Sequence, residues 1–169
     1  MLTIRDESLD DIFAVQWVNS EAFETPAEAE LVDALRASDA ISLALVADLD
    51  GRVVGHILFS EVGIGANPYS AYTLGLAPMA VLPEMQNRGI GSMLVREGLE
   101  RCRQMGVEVV IVLGHPEFYP RFGFEPCKSK GITYSVNVPV EAFMAIELKP
   151  GSLQKYKGVV QFQPEFEGV

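Results

Sequence analysis

The chain has 169 residues, of which 49% are hydrophobic and 21% are charged, and its formal net charge is −10 at pH 7. This composition is typical of one ordinary globular domain, which buries enough surface to hold a core without disulfides or a structural metal. The acidic balance argues against a nucleic-acid partner, because phosphate neutralisation needs clustered Lys and Arg, and it favours cationic ligands.

The cysteines and the hydropathy pattern predict a cytoplasmic protein. Cys102 and Cys127 form no Cys-x-x-Cys or Cys/His motif, so we expect reduced thiols and no bound metal. No apolar run reaches the roughly 18 to 20 residues that span a bilayer, and the N-terminal residues lack the basic and apolar regions of an export signal. We therefore expect no membrane partner.

Two helices are predicted near the start of the chain. Thr25 to Glu28 has the pattern of a helix start, with Thr to cap, Pro at the first helical position and Glu able to reach back, and that helix should end near Ser38. Before it, Ser8 to Asp11 has the spacing of a capping box. An amphipathic helix should follow that box. The residues that recur there at helical spacing, with one polar residue among them, are Leu9, Ile12, Phe13, Gln16 and Trp17.

Three strands are predicted next. Ile41 to Ala47 and Val53 to Phe59 should form an antiparallel hairpin, because the Asp-Gly step within Asp48 to Arg52 accepts the positive φ of a tight turn. Tyr72 to Val81 should form the third strand. Pro78 should interrupt its regular pairing, since proline has no N–H to donate.

The second half of the chain begins with the clearest helical pattern, Gly89 to Met105, in which Gly98 lets the helix lie close to a sheet. The β-branched run Val107 to Leu113 predicts a strand covered on both faces. Strand, helix and strand in this order imply a right-handed parallel crossover. Later elements are a helical turn ended by Gly123 and two strands, expected at Pro116 to Phe122, Phe143 to Leu148 and Val159 to Phe162.

Residues Met79 to Ser92 carry the most informative pattern, a strand end followed by a loop and a helix that starts at glycines. The first N–H groups of a helix have no internal partner, so such a turn is suited to an anion. A dinucleotide fingerprint needs a third glycine where Leu94 stands, and a nucleoside-triphosphate loop needs a Gly-Lys step that is absent. A tight packing turn and another kind of phosphate site stay as alternatives.

The stretch Leu76 to Val81 with Gln86-x-x-Gly89-x-Gly91 resembles the acyl-CoA-binding motif of the GNAT N-acetyltransferase superfamily, and Leu113 to Phe124 resembles its YhbS-like subgroup. The resemblance covers roughly residues 1–148 and implies an α/β fold with a mixed, mostly antiparallel sheet, splayed central parallel strands and helices on both faces. It implies a single acyl-CoA N-acyltransferase domain over residues 1–169, with 149–169 as a C-terminal extension. The implied cosubstrate is acetyl-CoA, with no metal.

The same resemblance implies how the cosubstrate is bound. The main chain of Met79, Ala80 and Val81 would hydrogen-bond the pantetheine arm. Arg88 is either a counter-charge to the pyrophosphate or a solvated surface charge. The motif's Gln86 precedes the pyrophosphate-binding loop, which the resemblance places at Asn87, Arg88, Gly89, Ile90, Gly91 and Ser92.

For catalysis, the resemblance implies that Tyr119 donates to the departing thiolate, whereas the alternative is a tyrosine that packs locally. His115 could accept the proton of the amine or cap the short helix. No Asp or Glu occurs in Tyr72 to Val81, where many relatives place a catalytic carboxylate. His56 fits a core histidine, and four carboxylates near the expected acceptor pocket are base candidates or solvated surface groups, namely Glu21, Glu24, Glu28 and Glu61.

The resulting hypothesis is an acetyl-CoA-dependent N-acetyltransferase in which a primary amine attacks the thioester directly. The acceptor is an unidentified small molecule or peptide, for which the acidic charge favours a cation. The alternative is a non-catalytic acyl-CoA sensor or partner-docking module, which the missing carboxylate favours. The sequence leaves the oligomeric state open, a homodimer included.

Overall fold

The chain forms a mixed α/β structure with ten strands and three α-helices, and the computed structural model describes all residues from Met1 to Val169. It divides into two compact units. The first unit comprises Met1–Phe59, Pro78–Gly98 and Pro164–Val169, and the second comprises Ser60–Ala77 and Leu99–Gln163. No helix combines the length and hydropathy that a membrane crossing requires.

The first unit begins with β1 (Leu2–Asp6), α1 (Ile12–Ala22) and α2 (Ala27–Ala37). The predicted capping box is confirmed, since the Ser8 N–H and hydroxyl both donate to Asp11 Oδ2, at 2.8 and 3.2 Å. It opens a 3₁₀ turn that leads into α1. At α2, Pro26 is the residue before the helix and not its first residue, and Thr25 Oγ1 accepts from the Ala27 N–H at 3.3 Å.

The prediction of α1 as a helix is confirmed, but the prediction of which face of the helix packs on the core is wrong. The buried side chains are Val15, Val18 and Asn19, each 0% exposed, three and four residues apart. Leu9, Phe13 and Trp17 are instead 84%, 85% and 57% exposed. The helix carries apolar side chains on two faces, and periodicity alone does not distinguish which one packs on the core.

The strands of the first unit lie in the order β1, β2 (Ile41–Leu49), β3 (Arg52–Glu61, up to Phe59) and the end of β5 (Thr73–Val81, from Pro78). Asp50 and Gly51 have φ of 51° and 92°, which confirms the tight Asp-Gly turn between β2 and β3. β1 pairs antiparallel with β2 from Leu2 opposite Leu49 to Asp6 opposite Leu45. No pattern in the sequence predicted this five-residue edge strand.

Helix α3 (Ile90–Gln104) confirms the predicted glycine-started helix. Gly98 lies against Phe59 of β3, because a Cβ placed there would be 2.7 Å from the Phe59 ring. Such a contact is far inside the van der Waals distance, so the helix depends on glycine to approach the sheet this closely. The close approach predicted for Gly98 is therefore confirmed.

A buried polar cluster joins α1, α2 and β3 within the first unit. The ring atom His56 Nδ1 lies 3.2 Å from Asn19 Nδ2, which also donates to the Val15 carbonyl at 3.0 Å. Because an amide nitrogen donates, Nδ1 accepts and the ring proton is on Nε2. His56 Nε2 lies 3.7 Å from Glu7 Oε1, and Arg36 holds Glu7 through two hydrogen bonds of 2.8 Å. His56 is therefore the predicted core histidine.

The titration of His56 should make folding stability depend on pH. Burial, the largest influence, lowers the pKa of His56 to about 4, against the opposing effect of Glu7. An unfolded histidine titrates near 6.5, so between these values the unfolded chain binds a proton that the folded chain does not. The stability that neutral His56 contributes is full above pH 6.5 and is lost as the pH falls toward 4.

We expect the free energy of unfolding to fall by about 1.5 kcal/mol through His56 between pH 6.5 and 5.0. Urea denaturation at both pH values measures this change. In His56→Gln, which keeps an acceptor for Asn19 but cannot titrate, the decrease should be smaller by that amount. An equal decrease in both proteins would show that His56 ionises normally in the fold.

In the second unit, the first part of β5 is followed across the sheet by β6 (Val109–Leu113), β9 (Phe143–Glu147) and β7 (Glu125–Pro126). β5 and β6 are parallel, which confirms the predicted parallel connection through α3, and the pairs β6/β9 and β7/β9 are antiparallel. The residues of β5 that pair with β6 are Thr73 to Gly75. The strand itself is not interrupted at Pro78 and continues to Val81, but its pairing with β6 stops before the proline, as the loss of the proline N–H predicts.

A small second sheet incorporates the C-terminal extension. β10 (Gly158–Gln161) lies between β4 (Gly63–Ile64) and β8 (Ile132–Tyr134). Glu108 fixes the preceding segment, because its carboxylate accepts from the Tyr156 hydroxyl at 2.6 Å and from Lys155 Nζ at 2.8 Å. Residues 149–163 are thus an integral part of the second unit.

Candidate functional site

The glycine-rich turn lies in the first unit as a continuous exposed loop. The Leu82 N–H donates to the Val54 carbonyl at 2.9 Å, which ties the end of β5 to β3. A 3₁₀ turn, Pro83–Met85, follows, and residues 86 to 89 are exposed before Ile90 begins α3 with a side chain that is 3% exposed. The loop is therefore anchored at both ends and open to solvent between them.

The backbone of this loop adopts the left-handed conformation twice, at Asn87 with φ 63° and at Gly89 with φ 84°. Gly89 suits this conformation because it has no Cβ, and asparagine tolerates it better than most residues. The first helical hydrogen bond of α3 runs from the Met93 N–H to the Gly89 carbonyl at 3.1 Å. The N–H groups of Ile90, Gly91 and Ser92 precede that bond and have no helical acceptor, so they are free for an anion.

Two side chains of the loop have different roles: Gln86 bonds to the backbone of the chain, and Arg88 is an unpaired cation. Gln86 Nε2 donates to the Val81 carbonyl at 3.0 Å, so this side chain links the loop to the end of β5. Arg88 is exposed and makes no ion pair with the chain. The sequence motif identified Gln86, but only the structure shows that its amide contacts protein backbone.

The Tyr119 segment belongs to the second unit. It follows β6, where the Gly114 N–H donates to the Ala142 carbonyl at 2.9 Å. The His115 carbonyl then accepts from the N–H groups of Phe118 and Tyr119, at 3.1 and 3.3 Å, and a 3₁₀ turn runs over Tyr119–Phe122. Gly123 ends the turn with φ 104°, which confirms the predicted turn and its left-handed end.

Tyr119 is a buried tyrosine in an aromatic setting. Its side chain is 6% exposed, and its ring meets the rings of Phe118 and Phe124 edge-on at centroid distances of 5.0 and 5.6 Å. Burial raises the pKa of Tyr119 to about 12, so the phenol stays protonated at neutral pH. The hydroxyl has no hydrogen-bond partner in the chain, and it can therefore donate to a ligand.

Gly114 is a residue that sequence reasoning missed. A Cβ at Gly114 would lie 2.8 Å from Tyr119 Cδ2 and closer still to the neighbouring ring carbon. The absence of a side chain at this position therefore sets where the Tyr119 ring lies. A glycine directly after a β-branched strand and five residues before a tyrosine was the available signal, but it does not predict this contact.

The remaining candidates for proton transfer, His115 and four glutamates, differ in how exposed they are and in what they contact. The His115 side chain is exposed and its main chain caps the turn. Glu21 and Glu24 are exposed, whereas Glu28 is partly buried with Oε1 unpaired. The main chain of Glu61, at the end of β3, accepts from Gln163 Nε2 at 3.0 Å. None of these geometries singles out one carboxylate as a base.

The chain has two thiols, and neither they nor any cluster of metal-ligating side chains forms a reactive site. Cys102 and Cys127 are free and buried. Burial raises the pKa of each thiol to about 12. No group of three or more His, Cys, Asp or Glu side chains is arranged to hold a metal ion.

Comparison with curated proteins gives two relatives in Escherichia coli. The chain is 40% identical to the uncharacterized N-acetyltransferase YjhQ over 141 residues, which cover 82% of this chain and 77% of the relative. It is 32% identical to the uncharacterized N-acetyltransferase YhbS over 166 residues, which cover 98% of both chains. The predicted YhbS-like subgroup is thereby confirmed.

Solved structures share the fold. The crystal structure of E. coli YhbS in complex with CoA superposes with a TM-score of 0.93 at 32% identity, covering 98% of this chain and 91% of that one. A GNAT family acetyltransferase from Brucella melitensis in complex with acetyl-CoA gives a TM-score of 0.83 at 34% identity, covering 99% of both chains. Residues 7–124 also match the model of the acetyltransferase (GNAT) family. The chain therefore belongs to the GNAT acetyltransferase family.

Proposed function

We propose that this protein transfers the acetyl group of acetyl-CoA to a primary amine, and that residues 1–169 work as one acyltransferase domain. The observation that carries the proposal is the exposed loop before α3, where the N–H groups of Ile90, Gly91 and Ser92 have no helical acceptor. Backbone donors at a helix N-terminus favour a diphosphate. CoA in the YhbS crystal and acetyl-CoA in the Brucella enzyme support this donor.

The proposed donor site has two parts. The pyrophosphate lies on the backbone of Asn87 to Ser92, with Arg88 as a counter-charge that no other side chain of the protein neutralises. The pantetheine arm lies along Met79, Ala80 and Val81. This proposal is supported by the register of β5, whose paired residues with β6 end at Gly75 while the strand continues to Val81. On the edge of β5 that faces away from β3, backbone groups beyond Gly75 have no partner in β6 and are available to the pantetheine amides.

In the proposed reaction, the amine nitrogen attacks the thioester carbonyl carbon. A C–N bond forms, the C–S bond breaks, and CoA leaves as a thiolate, which takes up a proton from solvent. The Tyr119 hydroxyl supplies a hydrogen bond to that sulfur, since its pKa of about 12 keeps the phenol protonated. His115 is the proposed acceptor of the amine proton, because its imidazole is exposed and makes no hydrogen bond or ion pair with the chain.

The acetyl group passes directly to the amine, without a covalent intermediate. The only thiols belong to Cys102 and Cys127, which are 0% and 1% exposed and have pKa values near 12. A buried, protonated thiol is a poor nucleophile. An acyl-cysteine is therefore not part of the proposed pathway.

The double variant Cys102→Ala/Cys127→Ala should keep kcat within about twofold, because alanine removes both sulfurs with no new buried hydroxyl. Steady-state rates of CoA release measure this, and circular dichroism checks the fold. A folded double variant without turnover would contradict direct transfer. Retained turnover with trapped acyl-enzyme would contradict it as well.

The experiment that tests the function is a thiol-release assay with acetyl-CoA and a panel of amines, including a polyamine, an aminoglycoside and a lysine peptide. The net charge of −10 favours cationic acceptors at the encounter stage. Release above the hydrolysis background with any amine supports the transferase. Saturable CoA binding without release for every amine would favour the alternative, a non-catalytic sensor or docking module.

A further inference from the structure

An exposed apolar stripe runs along the first helix. It consists of Leu9, Phe13 and Trp17, which are 84%, 85% and 57% exposed. The residues are four positions apart, so they lie one above another on the same face of α1 and of the turn that precedes it. The opposite face already supplies Val15 and Val18 to the core. Leu9 and Phe13 therefore contribute little to packing within the chain, and Trp17 is only partly covered.

The size of the stripe fits a short segment of another molecule. Three large side chains at these exposures offer on the order of 400 Å² of apolar surface, which is the size of the functional patches found on monomeric proteins. A stable interface buries about 800 Å² on each partner. The stripe alone is therefore too small for a stable homodimer.

The charges around the stripe restrict the chemistry of that molecule. Residues 6–35 contain nine Asp or Glu and no Lys or Arg; the flanking Arg36 and Arg5 pair with Glu7 and Asp11, which leaves an excess of negative charge. Asp10, next to Leu9, and Glu21, one helical turn beyond Trp17, are both exposed. A second copy of this chain brings the same negative charges, and so does an anionic membrane surface, so both are repelled. Lys and Arg side chains would be attracted to these carboxylates.

We propose that this stripe docks a basic polypeptide segment, whose apolar side chains cover Leu9, Phe13 and Trp17 while its Lys or Arg side chains face Asp10 and Glu21. The segment follows the ordinary design of a small peptide interface, with aromatic anchors at the centre and charges at the rim. Docking on this surface requires neither acetyl-CoA nor turnover, so it stands independently of the proposed transferase reaction.

Trp17 is the only tryptophan of the chain, so its fluorescence reports directly on the stripe. The probe is a short synthetic peptide that places Leu and Phe at helical spacing among Lys and Arg. We expect a saturable blue shift of Trp17 emission without acetyl-CoA, and at least about tenfold weaker binding for Phe13→Ser. Val136→Ser, which also removes an apolar side chain, here 54% exposed, should bind as the wild type does.

Charge is tested with the same readout. A peptide with Glu in place of Lys and Arg should not bind, and Asp10→Asn/Glu21→Gln should weaken binding of the basic peptide about threefold or more at low salt. No blue shift with the basic peptide up to millimolar concentration would overturn the proposal. Equal binding by Phe13→Ser, a shift with anionic phosphatidylglycerol vesicles only, or a shift caused by self-association in sedimentation would overturn it too.

Discussion

Replacing Tyr119 by Phe is expected to lower kcat about 100-fold and to leave the Kd for acetyl-CoA within about twofold. The ring packs against Phe118 and Phe124 in the same way with or without its oxygen. The hydroxyl makes no hydrogen bond with the protein, so its removal leaves no partner unsatisfied. The change therefore removes one donor and little else, and that donor is needed only when charge develops on the CoA sulfur.

The measurement combines steady-state thiol release with calorimetric titration of acetyl-CoA. Tyr72→Phe is the matched control, because it removes a phenol oxygen from a tyrosine that is 57% exposed. Its kcat should equal that of the wild type. Unchanged kcat in Tyr119→Phe would exclude Tyr119 as the donor to the leaving group. A proportionate loss of acetyl-CoA affinity would show that the hydroxyl binds the ground state.

A substitution at Gly114 tests the role of the Tyr119 hydroxyl without changing Tyr119 itself. A methyl group at this position meets the Tyr119 ring and must displace it. We expect Gly114→Ala to lower kcat in the wild type and to have little further effect in Tyr119→Phe, because both changes act on the same hydroxyl. Additive losses would show that Gly114→Ala acts through something else, such as the hydrogen bond to the Ala142 carbonyl.

The elements that local chemistry specifies were predictable from the sequence. The Asp50-Gly51 hairpin, the glycine-started helix α3 and the left-handed end at Gly123 each follow from backbone preferences of a few neighbouring residues. The parallel connection through α3 follows from the order of strand and helix. In each case, local preference and tertiary structure agree.

Features that depend on distant partners were not predictable. Which face of α1 is exposed depends on which face packs against β3, and Asn19 lies on the packed face because it hydrogen-bonds to His56. The strands β4 and β8 have two and three residues and form only because β10, far along the chain, lies between them. Similarly, motif spacing identifies Gln86 and Tyr119, but it contains no information on the Val81 carbonyl or the Gly114 contact.

A negative charge placed directly before α3 should test the anion site. At Gly89, Asp and Asn tolerate the left-handed backbone about equally, and no atom lies within 4 Å of a Cβ built there. The two variants therefore share the same backbone strain and nearly the same shape. They differ by one charge at the position where the pyrophosphate is proposed to bind.

We expect Gly89→Asp to bind CoA on the order of 30-fold more weakly than Gly89→Asn, since like charges about 6 Å apart repel by roughly 2 kcal/mol after screening. Calorimetry with CoA at low and high salt measures the ratio, which should shrink as salt rises because screening weakens the repulsion. Asp near a helix N-terminus stabilises the helix, so lower stability cannot account for a weaker affinity in Gly89→Asp. Equal Kd values for the two variants at low salt would place the diphosphate away from this loop. The donor-binding half of the proposed function would then have to be abandoned, whatever turnover the enzyme shows.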